Sequence, residues 1–371
     1  MLSPRASVHS VPSYHPPLAG RDGLRLDFNE NTIGCSPRVL ERLRGLTVED
    51  LARYPEREPV EDRVAEFLGI PAPELLLTNG VDEAIHLLCE TYLEAGDEAL
   101  IVVPTYSMYR IYMMAAGASV IGVPAGESFI FPFEDLKSRI TSRTRLIAIA
   151  NPNNPTGAVA PHEHLLEIAR AAPNAALLID EAYFEFCGQT LLSRRQQYSN
   201  LFVTRTFSKA YGLAGLRIGV LTGDVEQMLA IRRMSSPYNV NAAALACLLE
   251  AIADQAYIQQ YVGEVLESRA RLERFFVARG ITFWPSQANF VLARLGATAE
   301  DSAEFVEHMR RRGILARDRS SDPGCAGCVR ITLGPRGHTD RLLLVLEETF
   351  RQLALPPRPM QVGPTPGATK A

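Results

Sequence analysis

Residues 206–219 read TFSKAYGLAGLRIG and place Lys209 just after an apolar run that favours a β-strand. The hydroxyls of Thr206 and Ser208 precede the lysine, and small residues followed by Arg217 come after it. A strand end that offers hydroxyls and a guanidinium can hold a phosphate beside the lysine amine. The stretch therefore predicts a sheet with a phosphate-binding site at its edge.

An amine next to a bound phosphate suits covalent chemistry with an aldehyde cofactor. Lysine amines form Schiff bases with carbonyl compounds, and pyridoxal phosphate is the obvious aldehyde that also carries a phosphate. The alternative is that Lys209 is an ordinary surface lysine in a loop. The other motifs of the chain have to distinguish these two interpretations.

The overall composition argues against several classes of protein. The chain has 371 residues, with 38 Lys and Arg against 42 Asp and Glu, so it is long enough for two lobes and nearly neutral. A balanced charge without a long basic run argues against nucleic acid or an anionic membrane as a partner. No apolar segment reaches the ~20 residues that span a bilayer.

The N-terminus and the cysteines indicate the cellular location. Residues 1–20 contain four prolines and no apolar core, which is not the pattern of a secretory signal. The six cysteines are scattered through apolar segments, which suits reduced thiols better than a disulfide framework. We therefore predict a cytoplasmic protein.

Short β-prone runs alternate with mostly helix-length segments between residues 74 and 220. These runs are apolar throughout, as is typical of strands buried on both faces of a largely parallel sheet. They cover residues 75–78, 99–103, 146–150, 176–179, 201–203 and 218–221. After about residue 240 the pattern changes to a long helix-prone stretch, 242–278, followed by shorter strands and helices.

These changes of pattern predict how the chain is divided. We expect an N-terminal arm over residues 1–25, a large α/β domain over 36–240, and a smaller α/β domain formed by 26–35 and 241–355. Residues 356–371 contain five prolines and no apolar core, so we predict a disordered tail.

Two candidates for cofactor chemistry follow the strand at 176–179. Asp180 stands at the carboxyl end of this strand, where open α/β sheets bind their ligands, and its carboxylate could pair with a pyridinium nitrogen. Tyr183 could hydrogen-bond the cofactor's 3′ oxygen. The alternative for Asp180 is an ordinary acidic residue that caps the next element.

Three further strand ends carry polar or aromatic side chains. Residues 151–157 read NPNNPTG, a rigid turn that can aim an asparagine amide at an anionic oxygen. Val81 and Asp82 begin a helix whose free amides favour a phosphate, although an acidic residue is also ordinary in a first turn. Tyr106 could stack on an aromatic ring or belong to the core.

Two arginines in the smaller lobe are candidates for binding anions. Arg330 lies in a β-prone segment, where a guanidinium can bind a carboxylate through two hydrogen bonds. Arg317 is a second cation of the same lobe. Either side chain could instead be solvated or paired with an acidic neighbour such as Asp318.

These motifs, in this order, resemble those of the fold-type I pyridoxal phosphate aminotransferases, and within that group those of the histidinol-phosphate aminotransferase family. The resemblance covers residues 26–350. Its most specific pieces are 28–31 (FNEN), 53–56 (RYPE), 78–83 (TNGVDE), 153–157 (NNPTG), 180–183 (DEAY), 208–217 (SKAYGLAGLR), 237–241 (PYNVN) and 330–332 (RIT). It implies a large domain with a mostly parallel seven-stranded sheet between helices, plus a smaller α/β domain.

The resemblance also implies a role for each matching residue. Lys209 would form the Schiff base with pyridoxal phosphate and carry the proton, with Asp180 and Tyr183 as the other catalytic residues. The cofactor contacts would be the backbone amides of Val81 and Asp82, the ring of Tyr106, the side chains of Asn154 and Tyr183 at the 3′ oxygen, and Thr206, Ser208 and Arg217 at the phosphate. Arg330, Arg317 and Asn154 would bind the substrate.

A homodimer follows from the same resemblance. In this family the tyrosine that matches Tyr54 reaches the cofactor phosphate of the neighbouring subunit. The partners implied are therefore a second copy of the chain, a small amino donor and a 2-oxo acid.

The reaction implied is transfer of the amino group of L-histidinol phosphate to 2-oxoglutarate, giving imidazole-acetol phosphate and glutamate in histidine biosynthesis. An aromatic amino acid aminotransferase and a threonine-phosphate decarboxylase remain alternatives with the same cofactor. A non-catalytic regulator on the same fold is more remote, because no helix-turn-helix pattern precedes the match. Residues 31–35 (NTIGC) depart from the family's usual sequence in a loop that lines the substrate pocket of relatives.

Overall fold

The computed structural model describes residues 2–13, 20 and 22–353 of the chain. Its helices are α1 (Ala6–His9), α2 (Pro37–Arg44), α3 (Val48–Ala52), α4 (Glu58–Leu68), α5 (Val81–Tyr92), α6 (Ser107–Ala116), α7 (Phe133–Ser138), α8 (His162–Ala171), α9 (Phe184–Cys187), α10 (Val225–Met234), α11 (Ala242–Ala253), α12 (Gln255–Ala278), α13 (Ala299–Arg311) and α14 (Arg336–Leu353). Its strands are β1 (Leu24–Arg25), β2 (Leu75–Thr78), β3 (Glu98–Val103), β4 (Ser119–Pro124), β5 (Thr144–Ala150), β6 (Ala176–Asp180), β7 (Leu201–Thr206), β8 (Gly219–Thr222), β9 (Phe283–Trp284), β10 (Phe290–Arg294), β11 (Ile314–Leu315), β12 (Arg317–Asp318) and β13 (Cys328–Thr332).

A seven-stranded sheet in the order β2-β8-β7-β6-β5-β3-β4 forms the centre of the larger lobe. Its neighbouring strands are parallel, except that β8 is antiparallel to β2 and to β7. Both faces of the sheet are buried: Leu76 on β2 packs into one apolar cluster, while Leu75 and Leu77 pack into another on the opposite face. Continuous apolar runs are required by this double burial, and the predicted α/β class with its mostly parallel seven-stranded sheet is confirmed.

The smaller lobe contains a four-stranded antiparallel sheet in the order β12-β13-β10-β9. A two-stranded parallel sheet, β1 with β11, adds the N-terminal residues 24–25 to this lobe. Helix α12 packs against α14 and β10, and α13 packs against α14, β11 and β12. The exact domain boundaries stay a prediction. Residues 1, 14–19 and 21 of the expected arm and the whole expected tail, 356–371, lie outside the described residues.

Two elements differ from the sequence-based expectation. Strand β4 was not among the predicted runs, because it lies at the edge of the sheet and is only partly buried, with Gly122 in its middle. The stretch 242–278 is two helices that part at Asp254. The Asp254 carboxylate accepts hydrogen bonds from the backbone N–H of Tyr257 at 3.3 Å and the hydroxyl of Ser36 at 2.5 Å, so it caps the second helix.

A buried carboxylate on α4 ties three elements of the larger lobe together. Glu61 is 3% exposed, and it accepts a hydrogen bond from the backbone N–H of Leu77 at 2.8 Å. It also forms ion pairs with Arg57 at 3.1 Å and with Arg232 of α10 at 3.0 Å. These interactions of Glu61 fix α4 and α10 against β2, the strand that leads into residues 78–83.

Glu61→Ala is expected to lower the free energy of unfolding by about 3–5 kcal/mol, because it leaves two partly or fully buried guanidinium groups without their counter-charge. Chemical denaturation followed by circular dichroism measures the change. The matched control is Glu49→Ala, whose exposed pair with Arg53 should contribute less than about 1 kcal/mol. Equal effects of the two substitutions would contradict the prediction.

Candidate active site

The carboxyl ends of β2, β5, β6 and β7 meet at one edge of the large sheet. The strand register places Ala150 beside Asp180 and Asp180 beside Thr204, two residues before β7 ends at Thr206. Parallel strands bring their carboxyl ends to the same edge, so the loops that follow them converge. This edge therefore assembles polar side chains that are far apart in sequence.

Lys209 lies at this edge, three residues after β7. Its amine donates a hydrogen bond to the Phe28 carbonyl at 3.1 Å and lies 6.0 Å from the centre of the Tyr183 ring. Burial, together with the nearby Arg330 and Arg217 guanidinium groups, lowers the pKa of Lys209 to about 8. A larger fraction of this amine is therefore uncharged and nucleophilic near neutral pH than for an ordinary lysine.

Asp180 is a buried carboxylate, 5% exposed, at the end of β6. It accepts hydrogen bonds from the Tyr109 hydroxyl at 2.6 Å and from the backbone N–H of Ala182 at 3.0 Å. Burial raises the pKa of Asp180 to about 6 against the opposing effect of these two donors. Among residues 22–353 no cationic side chain forms an ion pair with it, so the carboxylate suits a cation supplied by a ligand, such as a pyridinium nitrogen.

The start of α5 and the side chain of Arg217 form a candidate phosphate site. Gly80 precedes the helix with φ +76°, a left-handed conformation that favours glycine, and a Cβ at this position would lie 2.6 Å from Arg217 Nη2 and displace the guanidinium. Arg217 forms an ion pair with Asp82 at 3.0 Å. The free N–H groups at a helix start and a guanidinium together favour a phosphate. The backbone N–H of Ser208 donates to the Thr206 hydroxyl at 3.1 Å.

Tyr106 contacts both the start of α5 and Tyr109, the residue that hydrogen-bonds Asp180. Its hydroxyl donates a hydrogen bond to Asp82 at 2.7 Å, and its ring packs edge-on against Tyr109, with 5.7 Å between ring centres. Burial and the neighbouring Asp82 carboxylate raise the pKa of Tyr106, which therefore stays a neutral phenol. The hydrogen bond fixes one end of the ring at the start of α5, above the strand edge.

Arg330 brings the smaller lobe into the site. Its guanidinium is buried and donates to the Asn154 side-chain oxygen at 2.5 Å and to the Asp27 carbonyl at 2.5 Å. Burial, with Arg319 nearby, lowers the pKa of Arg330 to about 10. Its Nε has no hydrogen-bond partner within the described part of the chain. An unpaired buried donor of this kind suits an anionic ligand.

Arg317 lies beside Arg330, because β12 and β13 pair these two residues directly. The strand register, rather than proximity in sequence, brings the Arg317 and Arg330 guanidinium groups together. The Arg317 guanidinium also lies 5.3 Å from the centre of the Phe28 ring. Arg319 is a third arginine of this cluster and forms an ion pair with Asp322 at 2.5 Å. Sequence reasoning missed Arg319, although its alternation with Arg317 was a visible signal.

Tyr54 is separate from the other candidates within one chain. Its side chain is 76% exposed and stacks on Tyr238, with 4.3 Å between ring centres. No contact with Lys209 or Arg217 is found for it among the described residues. An exposed stacked pair of tyrosines is a suitable surface for a second subunit.

The side chains assembled at this edge of the sheet fit pyridoxal phosphate rather than a metal ion. A nucleophilic amine, a buried carboxylate without a counter-ion and a phosphate site at a helix start are the three groups that this cofactor needs. Among residues 2–13, 20 and 22–353, no three His, Cys, Asp or Glu side chains are grouped so that they could hold a metal ion. No helix in this part of the chain is both long and apolar enough to cross a membrane.

Two further residues of the site, besides Arg319, were not predicted from the sequence. Tyr109 was missed because a tyrosine inside an amphipathic helix is usually a core residue, and only the fold shows its bond to Asp180. Asn29 was noted within a motif but was not assigned a role. In the structure its side-chain amide donates to the Tyr183 hydroxyl at 2.9 Å.

Comparison with known proteins agrees with this geometry. Residues 21–346 match the family described as aminotransferase class I and II. The chain is 34% identical, over 89% of its own length and 89% of the relative's, to histidinol-phosphate aminotransferase 1 of Bacillus cereus.

Solved structures show the same fold. Histidinol-phosphate aminotransferase from Sinorhizobium meliloti, in complex with pyridoxal-5′-phosphate, superposes with a TM-score of 0.86 at 26% identity, covering 94% of this chain and 97% of that one. L-threonine-O-3-phosphate decarboxylase from Porphyromonas gingivalis superposes with a TM-score of 0.74 at 22% identity, covering 88% and 99%. The second likeness concerns the fold alone. The chain therefore belongs to the class I and II aminotransferases, and within them to the histidinol-phosphate aminotransferase family, with pyridoxal phosphate as its cofactor.

Proposed function

We propose that this aminotransferase exchanges the amino group between L-histidinol phosphate and 2-oxoglutarate, giving imidazole-acetol phosphate and glutamate. The observation that carries the proposal is the buried guanidinium of Arg330, whose Nε lacks a partner among the described residues and which lies beside Arg317 on the neighbouring strand. Two adjacent cations suit a substrate with a doubly charged end. The phosphate of histidinol phosphate meets this requirement, and each carboxylate of 2-oxoglutarate can pair with one of the two guanidinium groups.

The amine of Lys209 is proposed to perform the chemistry. This amine would hold the cofactor through the aldehyde carbon until an amino donor takes its place, and the freed amine would then act as the base that carries the proton from the donor's Cα. When bound, pyridoxal phosphate supplies an electron-withdrawing ring that makes this proton acidic. The lowered pKa of Lys209, about 8, supports both tasks because the free amine must act as a base.

Asp180 and Tyr183 are proposed to control the electronic state of the cofactor ring. The buried Asp180 carboxylate would hold the proton on the pyridine nitrogen, and the ion pair would compensate the cost of burying that charge. Tyr183 and Asn154 would contact the 3′ oxygen. Asn154 accepts a hydrogen bond from Arg330, so a proposed substrate contact directly orients one of the two cofactor contacts.

The phosphate of the cofactor is proposed to bind at the start of α5. The backbone N–H groups of Val81 and Asp82 and the side chains of Thr206, Ser208 and Arg217 would surround it, and the ring of Tyr106 would stack on the pyridine. Since Arg217 is already oriented by its ion pair with Asp82, little side-chain freedom is lost when the phosphate binds.

We further propose a homodimer in the cytoplasm. The exposed pair of Tyr54 and Tyr238 supports the dimer, because a second subunit would bury these rings and bring Tyr54 to the cofactor phosphate of its partner. All six cysteines are free thiols, which supports a reducing compartment.

A substrate panel tests the proposed reaction against its rivals. The value of kcat/KM for histidinol phosphate should exceed those for phenylalanine, tyrosine and threonine phosphate, with glutamate formation from 2-oxoglutarate as the measurement. Comparable values for phenylalanine would favour a broad aromatic aminotransferase, and release of carbon dioxide from threonine phosphate would favour a decarboxylase. The decarboxylase alternative is supported only by the similarity of fold.

Arg317→Ala is expected to lower kcat/KM for histidinol phosphate by about 10-fold to 150-fold, the usual range for lost hydrogen bonds to a charged group. Histidinol without its phosphate should change by less than about threefold. The matched control is Arg310→Ala, which removes an exposed arginine of the same lobe that is paired with Glu307. Equal losses with the two substrates would contradict a phosphate-binding role for Arg317.

A further inference from the structure

A short segment near the N-terminus, residues 27–31, connects the two lobes at the active site. Its carbonyl oxygens accept hydrogen bonds from both sides: Phe28 from the Lys209 amine at 3.1 Å and Asp27 from Arg330 at 2.5 Å. The side chain of Asn31 donates to the Ala210 carbonyl at 2.9 Å. The segment thus contacts the lysine loop of the larger lobe and β13 of the smaller one.

Asn29 is the most constrained residue of this segment. It is 1% exposed, and its backbone has φ +56°, a left-handed conformation that asparagine adopts more readily than most residues. Its backbone N–H donates to the Thr332 hydroxyl at 3.0 Å, and its carbonyl accepts from the Asn289 amide at 3.1 Å. Its backbone is therefore held in this conformation by residues of the smaller lobe.

The two ends of that side chain make different hydrogen bonds. The Thr332 hydroxyl donates to Asn29 Oδ1 at 3.0 Å, which leaves Nδ2 to donate to the Tyr183 hydroxyl oxygen at 2.9 Å. A phenol that accepts a hydrogen bond at its oxygen keeps its own proton for another acceptor. Burial raises the pKa of Tyr183, and the Asn29 amide opposes that rise, so the phenol stays a neutral donor.

We propose that Asn29 is a positioning residue, which fixes the Tyr183 hydroxyl as a hydrogen-bond donor toward the 3′ oxygen of pyridoxal phosphate. This inference rests on the proposed role of Tyr183. Because Thr332 orients Asn29 and lies two residues from Arg330, the hydrogen bond also connects the substrate-binding strand with the cofactor ring. A purely structural Asn29 would stabilise the segment without acting through Tyr183.

The experiment measures the dissociation constant of pyridoxal phosphate by titrating the full-length protein after its cofactor has been removed. The variants are Asn29→Gly, Asn29→Asp, Tyr183→Phe and the two double variants. Glycine accepts φ +56° without strain, so Asn29→Gly removes the amide while the backbone is kept. Asn29→Asp keeps the acceptor for Thr332 but turns the donor that faces Tyr183 into an acceptor, so the phenol proton would be drawn away from the cofactor.

Each single substitution is expected to weaken cofactor binding by about tenfold, with Asn29→Asp at least as severe as Asn29→Gly. In the Tyr183→Phe background, Asn29→Gly should then cause no further change beyond about twofold, because the group through which Asn29 acts is absent. Thermal unfolding of the cofactor-free variants checks that each one folds.

Multiplicative losses in the double variant would overturn the inference, since they would show that Asn29 acts independently of Tyr183. Weaker binding in Asn29→Gly with unchanged binding in Tyr183→Phe would overturn it as well, and would also remove the proposed role of Tyr183. The titration uses no amino donor, so a wrong assignment of the substrate does not affect its outcome.

Discussion

Lys209→Ala is expected to lower kcat for transamination by about 10⁴-fold or more, because one substitution removes both the covalent attachment point of the cofactor and the base that moves the α-proton. The purified variant should also lose the absorption band of the lysine-bound cofactor. Steady-state kinetics and an absorption spectrum of the purified protein measure the two effects.

Lys209→Arg is the matched control. It keeps a positive charge beside Phe28 but replaces an amine of pKa about 8 with a guanidinium that stays protonated, so it should be as inactive as the alanine variant. Substantial activity in either variant, or an unchanged spectrum in Lys209→Ala, would contradict the role of Lys209 as attachment point and base.

Asp180→Asn is expected to lower kcat by about 10³-fold, since a neutral amide cannot hold the pyridine nitrogen in its protonated form. The substitution preserves the volume of the side chain, and the amide oxygen can still accept the hydrogen bond from Tyr109. Asp180→Glu, which keeps the charge but displaces it by about one methylene, should lose less activity than Asp180→Asn. Equal activity of Asp180→Asn and the unmodified protein would contradict the role of the carboxylate.

The same substitution is expected to have the opposite effect on the stability of the cofactor-free protein. The pKa of Asp180 is raised from 3.8 to about 6 on folding, so the folded protein binds its proton more tightly than the unfolded chain does. Stability therefore falls as the pH rises from about 4 to 6, and the penalty persists above pH 6. At pH 7 to 8, Asp180→Asn should unfold at an equal or higher temperature, with a gain of up to about 3 kcal/mol. If the variant unfolded at a lower temperature at pH 8, the Asp180 carboxylate would have to have a counter-ion in the cofactor-free protein, which would contradict this prediction.

Much of the large lobe follows from local sequence. The apolar runs at 146–150 and 176–179 predict buried strands because a sheet covered on both faces has no polar alternation, and the structure places β5 and β6 there. Candidates at the ends of such strands, such as Asp180, are found together because parallel strands end at the same edge. The partly exposed edge strand β4 lacks this signal and was missed.

Other parts of the site are decided only by contacts between distant segments. Arg330 reaches Asn154 across 176 residues, and Tyr109 reaches Asp180 across 71, so no spacing rule in the sequence predicts either hydrogen bond. The same holds for Asn29, whose left-handed backbone is held by four hydrogen bonds to three distant residues, Asn289, Thr332 and Tyr183.

Local sequence is enough to predict the α/β class, the family and the candidate residues of the site, because strand periodicity and short motifs are local properties of the chain. The protonation of these residues and the direction of their hydrogen bonds depend instead on contacts between distant segments of the folded chain. The raised pKa of Asp180 depends on its burial in the large lobe, whereas the lowered pKa of Lys209 and the donor role of the Asn29 amide also depend on neighbours from the other lobe. Burial and long-range neighbours arise only when distant segments of the chain pack together.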